Sequence, residues 1–244
     1  MRYFIHFSYN GTHYHGWQAQ PNAKTVQETL TQVLVTILGT KIQLTGAGRT
    51  DTGVHALQMY AHFDSDLQID TSKIIHNVNA MLPNDIVVFE LFEVKKEAHA
   101  RFDATARTYQ YHINDQKKVF SNDLSWFFNK KLDVDLMNQG ANLLLTHRDF
   151  ECFSKTNTDV NTFNCCITEA FWQVKNNELI FTITADRFLR NMVRSIVGTL
   201  LNVGLHKITL SEFVEILHSK DRKKAGFSVP AHGLFLTKIA YSFL

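Results

Sequence analysis

Apolar residues along this chain recur at two different periods, and the switching between them constrains the fold more than any other feature. Tyr3, Ile5, Phe7 and Tyr9 fall on one face of an extended segment over 2–9, the period of two that a half-buried strand needs. From Thr25 the period lengthens. Val26, Leu30, Val33, Leu34 and Ile37 form the stripe of an amphipathic helix over about 25–38, with a Thr25/Glu28 capping box at its start and Gly39 at its end. Lys41–Thr45 predicts a second strand and 57–63 a third; a helix over 72–82 is stopped by Pro83, and Ile86–Glu93 returns as strand. The second half uses the same alphabet. Thr108–Ile113 alternates, Asp133 caps a helix reaching about 145, and 167–174 with 178–185 predict a hairpin turning at Asn176-Asn177. A long helix is expected over 187–203, a short one capped by Ser211, and a last strand at Leu234–Tyr241. The pattern predicts an α+β protein of two related subdomains, 1–104 and 105–244. No Pro/Gly-rich linker separates them near 103–107, which points to one sheet shared by both halves.

Composition excludes several classes. Of 244 residues 45% are hydrophobic and only 11 are Gly, so the chain is neither disordered nor collagen-like. No apolar run approaches the ~20 residues of a membrane-spanning helix, and Met1–Ser8 lacks the apolar core of a signal peptide. Cys152, Cys165 and Cys166 are too few for a disulfide framework, and the adjacent pair lacks zinc-knuckle spacing. The 12 histidines, His13/His15 and His55/His62 among them, lack companions at ligand spacing, so no metal site is expected. These features predict a reduced, soluble, cytoplasmic protein. The formal charge, 25 − 23 = +2, does not by itself announce nucleic acid. Basic residues are nevertheless clustered, at Lys95-Lys96, Arg101–Arg107, Lys117-Lys118, Lys130-Lys131, Arg187–Arg194 and Lys220–Lys224; each cluster alone reads as solvated surface.

The sharpest local feature is the loop 46–56. Gly46, Gly48 and Gly53 bracket Asp51, and Arg49 lies two residues before it. Glycines there permit a tight turn and close approach to a ligand, holding a carboxylate fixed yet open to a cleft. An Asx turn to the loop's own amides accounts for Asp51 equally well. A phosphate-cradling loop does not, because neither the lysine nor the helix start of a P-loop follows.

Gly48-Arg49-Thr50-Asp51-Thr52-Gly53-Val54-His55-Ala56 resembles the signature of the tRNA pseudouridine synthase A family, and the likeness extends along the chain in order. Tyr9–Gln20 is similar to the family's first turn, Thr25-Val26-Gln27 to its first helix and Ala106-Arg107-Thr108-Tyr109-Gln110-Tyr111 to its central strand. Asp149–Phe153, the helix with Met192-Val193-Arg194 and Pro230–Leu236 complete the series. Three departures from the family pattern stand out: Thr52 where Ala is commoner, Asn10 where Asp is usual, and Cys165-Cys166 where an Arg is common, so that the resemblance leaves open an RNA contact at that stretch.

The resemblance implies one extended, mainly antiparallel central sheet with helices on its outer faces, and a cleft between the halves carrying Asp51. It implies conversion of uridine to pseudouridine at tRNA positions 38–40 by a homodimer, with no cofactor, since nothing is oxidised and no group is gained or lost. Asp51 aligns with the reacting carboxylate. Covalent attack and removal of a sugar proton are both open to it. Arg194 aligns with its cationic partner, Tyr109 with the aromatic that stacks on the flipped uracil, and Leu234 with the apolar floor beneath the base. Arg49 aligns with the residue that fills the space left by the extruded base, an extrusion costing a few kcal/mol. A plain Arg49–Asp51 ion pair is the simpler account of that residue. Tyr111 reads as a core aromatic.

The expected helix adds its own argument. At 100° per residue, Arg187, Arg190 and Arg194 fall within ~60° of one another, opposite Leu189, Met192, Val193, Ile196 and Leu200. Arginines at a helix start oppose the macrodipole, so an anion, Asp51 or RNA phosphate, explains them better than local stability does. Arg187 and Arg190 are therefore expected at phosphates, and so, as part of the matched central strand, is Arg107. Two other classes fit the loop but not the ordered matches: a catalytically inert RNA-binding protein of the same fold, and a hydrolase pairing Asp51 with His55.

Overall fold

The computed structural model describes residues 1–156 and 160–244. In chain order the elements are β1 (Arg2–Tyr9), α1 (Val26–Leu38), β2 (Thr45–Gly46), β3 (His55–Asp64), α2 (Thr71–Met81), β4 (Ile86–Val94), β5 (Ala104–Asn114), β6 (Trp126–Phe127), α3 (Val134–Thr146), β7 (Ile167–Lys175), β8 (Glu178–Ala185), α4 (Met192–Gly204), α5 (Leu210–Ser219) and β9 (Leu234–Tyr241). The protein is α+β, with mainly antiparallel strand pairing. Two compact units divide it: Met1–Thr105 with Phe235–Leu244, and Ala106–Leu234.

In the first unit β1 lies between β4 and β3, antiparallel to both, and β9 joins β3 in parallel through His55↔Phe235 and Ala56↔Leu236. Tyr3, Ile5, Phe7 and Tyr9 are all buried, as their alternation requires. Phe4, on the opposite face, is buried too, because the rings of Tyr241 and Phe243 pack edge-on against it at 5.6 and 5.8 Å. Thr25 caps α1 by accepting from the Glu28 amide, and Gly39 ends it at φ +66°. The expected strand at Lys41–Thr45 shrinks to Thr45–Gly46. Ile42 and Leu44 are buried as a strand's alternate residues would be, but pairing with β3 begins only at Thr45↔His62.

In the second unit β8 lies between β5 and β7, antiparallel to both. Asn176 and Asn177 turn the β7–β8 hairpin with φ +51° and +60°, the left-handed pair a two-residue turn needs. Asp133 caps α3 through the Leu136 amide. Two boundaries differ from expectation. Thr209, not Ser211, caps α5, in a reciprocal capping box with Glu212. Helix α4 begins at Met192 rather than near 187, because Asn191 takes φ +67° and breaks any helical run before it.

Candidate active site

The Asp51 loop leaves the sheet after the short β2 and re-enters it at His55. One side-chain bond and three main-chain bonds hold the loop on both sides of the aspartate. The Tyr9 hydroxyl meets Thr50 Oγ1 at 2.8 Å, and the Trp17 amide donates to the Thr50 carbonyl at 3.4 Å. The Gly53 amide donates to the Tyr14 carbonyl at 3.3 Å, and the Val54 amide closes a turn on the carbonyl of Asp51 at 3.2 Å. Gly53 is the third residue of that turn and has φ +78°, a conformation that all but requires glycine. The turn is thus closed by the main chain of Asp51 and needs no Asx bond for its shape.

Residues 10–17 form the outer wall of the loop. Gly16, at φ +85°, comes so near that a Cβ would lie 2.3 Å from the Thr50 carbonyl oxygen. Gly46 leaves room for the buried Trp17 indole, which a Cβ would meet at 2.5 Å. Gly48 departs from expectation: its φ is ordinary and a Cβ would meet nothing within 4 Å, so the turn does not require it. His55 is a structural anchor; its Nδ1 accepts from the Gly11 amide at 3.1 Å, and its ring stacks on Phe235 at 4.6 Å. Sequence patterning alone does not single out Gly16, whose partner is 34 residues away; the Tyr9–Gln20 resemblance is the signal that covers it. Arg49 is exposed and makes no ion pair or hydrogen bond among the described residues, so the simple Arg49–Asp51 pair is absent.

The remaining candidates belong to the second unit. Tyr109, opposite Ile183 in the β5–β8 ladder, meets the Phe188 ring edge-on at 5.2 Å. Tyr111 is buried and donates to the Pro230 carbonyl at 2.8 Å, and burial drives its pKa upward. Arg194 occupies the first turn of α4, where its Nε donates to the Val229 carbonyl at 2.7 Å and its carbonyl accepts from the Val229 amide. Segment 226–230 reaches it only because Gly198 lacks a side chain, since a Cβ there would strike the Phe227 carbonyl oxygen at 1.8 Å. His232 is held below the usual histidine range by burial, with Arg194 adding to the effect. Leu234 is buried at the start of β9.

Arg187 and Arg190 precede α4, so the shared helical face expected for them with Arg194 does not exist, and Arg194 alone of the three opposes the macrodipole. Asp186 organises this stretch: its carboxylate accepts from the Cys166 and Arg187 amides, both at 2.7 Å, and its carbonyl accepts from Arg107 Nη1 at 2.8 Å. Beside the vicinal cysteines, Arg148 brings a guanidinium to Cys166 Sγ at 3.2 Å. Lys118 and Lys220, from the basic clusters, are paired with Glu178 and Asp149. Among the described residues no group of three or more His, Cys, Asp or Glu is gathered to hold a metal, and no helix is long and apolar enough to cross a membrane.

Comparison with known proteins bears on this arrangement. The family described as tRNA pseudouridine synthase matches residues 5–103 and 141–242. A tRNA pseudouridine synthase A from Porphyromonas gingivalis is 48% identical over 98% of this chain and 97% of its own length. Proteins of the same name from Thermoanaerobacter sp. and Acetivibrio thermocellus are 42% and 39% identical, each over 96% of both chains.

Proposed function

The chain belongs to the tRNA pseudouridine synthase family, and from that membership we propose that it isomerises uridine to pseudouridine in tRNA with Asp51 as its reacting carboxylate. The N1–C1′ bond breaks, the uracil turns, and a C5–C1′ bond forms. C5 gives up its proton and N1 gains one, so the RNA keeps its mass. Asp51 starts the exchange by attacking covalently or by removing a sugar proton. Arg194 keeps the carboxylate ionised in a water-poor cleft, where an unpaired charge would instead be neutralised. Tyr109 stacks on the uracil and assists loss of the C5 proton, and Leu234 floors the base. Arg49 fills the space left by the everted uridine, while Arg107, Arg187 and Arg190 meet phosphates. The substrate uridines are those at positions 38–40. A homodimer working in the cytoplasm joins the modest basic clusters into a longer track.

One observation supports the Asp51 assignment: main-chain bonds to Trp17 and Tyr14 clamp the backbone on either side of it, and the Tyr9 hydroxyl holds the Thr50 side chain, so the point from which the carboxylate projects is set by its surroundings. The test is incubation of unmodified tRNA with the purified protein, without added cofactor, followed by base-resolved pseudouridine mapping. Pseudouridine confined to 38–40 is the expected result. An unmodified tRNA, or release of free uracil, overturns the proposal.

A further inference from the structure

A groove of about 250 Å³ opens beside the Asp51 loop, within the first unit. Trp17 lies in its wall, and Gln18, Gln27, Gln43, Arg49 and Arg101 supply most of its polar lining. It is smaller than the ~300–1,000 Å³ typical of small-molecule pockets, a size suited to one base rather than to a longer ligand. Two guanidiniums line it and no carboxylate does. Gln27 is held in place: its Oε1 accepts from Gln18 Nε2 and the Ala19 amide, both at 2.8 Å, and its Nε2 donates to the Leu44 carbonyl at 2.7 Å. The exposed amide of Gln43 has no hydrogen bond among the described residues. A positioned glutamine network with one amide left to the solvent can engage the edge of a nucleobase.

Arg101 is delivered by a fixed turn. The Ala100 amide donates to His62 Nδ1 at 3.1 Å, the Tyr241 hydroxyl donates to the Ala100 carbonyl, and the Arg101 and Phe102 amides both donate to His99 Nδ1. Phe102 is the odd member. It is 75% exposed, yet its ring is not adrift: it lies 4.3 Å from the His99 ring, with the Arg101 guanidinium 5.7 Å from its centroid. An exposed aromatic beside a cation is the arrangement on which unpaired bases stack.

We propose that this groove and the Arg101–Phe102 turn form a second RNA subsite, which takes one unpaired nucleotide flanking the reacting uridine. Phe102 stacks on its base, Arg101 meets its phosphate, and Gln43 touches the base edge. The inference rests on the RNA-modifying activity proposed above. It departs from it in placing specificity outside the residues around the everted uridine.

The experiment uses steady-state turnover by the full chain on anticodon stem-loop RNAs in which each unpaired nucleotide in turn is made abasic. Wild type, Phe102→Ala, Phe102→Trp and Gln43→Ala are compared. On intact RNA, Phe102→Ala raises KM at least about fivefold, the lower end for one lost base stack, with kcat changed less than twofold. Phe102→Trp restores KM. At one loop position the abasic RNA raises the wild-type KM by the same factor and costs Phe102→Ala nothing further. If the two penalties multiply at every position, or Phe102→Ala matches wild type on intact RNA, the subsite does not exist. Failure of the underlying activity looks different: wild type then forms no pseudouridine on any of these RNAs.

Discussion

Residues 47–54 and residues 186–194 both present charged side chains, and they are shaped in opposite ways. Around Asp51 the backbone is gripped by the main chain of residues 14 and 17, across approaches that only glycine allows, and the Tyr9 hydroxyl holds the side chain of Thr50. Around Arg187–Arg194 the polar side chains themselves hold the chain. The Asp186 carboxylate takes two amides, Asn191 Nδ2 reaches Ser195 and Ser228, and Arg194 Nε reaches Val229. In the first the turn is closed by main-chain bonds, so a change of the Asp51 side chain is expected to leave the loop in place. The second couples position to chemistry, so a changed side chain also moves the backbone.

The largest effect tests the first half of that contrast. Asp51→Asn is expected to lower kcat by at least ~10⁴-fold, on the scale of losing a reacting group. Its melting temperature and tRNA affinity should stay close to wild type, because the turn is closed by the Asp51 carbonyl. A variant that melts well below wild type would show that the carboxylate shapes the loop after all.

Glycine replacements come next. Gly16→Ala forces a Cβ into the Thr50 carbonyl at positive φ, and the combined strain should cost about 3 kcal/mol, read as a lower urea midpoint with turnover falling alongside. Gly48→Ala meets nothing and should stay within ~0.5 kcal/mol of wild type. Equal effects at the two positions would mean that the loop is not clamped by residues 10–17.

Arg194→Lys probes the coupled region. A lysine has a single nitrogen, so it cannot both hold the Val229 carbonyl, as Arg194 Nε does, and serve the carboxylate pairing proposed above. The expected loss is about 100-fold in kcat, the scale of one removed charge-stabilising donor, with a lower melting temperature as segment 226–230 loosens. Full activity with Lys would remove the need for the fork geometry.

What could be read from the residues follows the same division. Elements set by local chemistry were legible: Thr25 and Asp133 as caps, Asn176-Asn177 as the hairpin turn, and Leu234–Tyr241 as the closing strand. The Asp51 loop was legible because its glycines lie within seven residues of one another. Gly16 was not, since its need for a bare backbone depends on Thr50 arriving from elsewhere in the fold. The start of α4 is not legible because the 3.6-residue period continues smoothly through Arg187–Asn191. What interrupts it is the bond from Asn191 to Ser228, 37 residues away, and no local pattern encodes that. At 41–44 the converse holds: Ile42 and Leu44 are buried in strand-like alternation, yet among the described residues no neighbouring strand pairs with them.

The smallest effect concerns the arginines that left the helix. With no common helical face, Arg187 and Arg190 act as separate points of charge, and Arg190 is exposed before α4 begins. Each phosphate interaction removed should therefore lower the slope of log Kd against log salt by about 0.7–0.9, independently and additively. Arg190→Gln and Arg187→Gln are each expected to flatten the slope by one such step, with kcat unchanged. The double variant should flatten it by two. Arg107→Gln is expected to behave differently: its Nη1 holds the carbonyl of Asp186, which organises the whole stretch. Its removal should lower the melting temperature as well as the slope. A slope that moves by less than one step in the double variant would show that Arg187 and Arg190 serve the fold of residues 186–191 rather than the RNA, and the coupled design would then extend to every arginine in the segment.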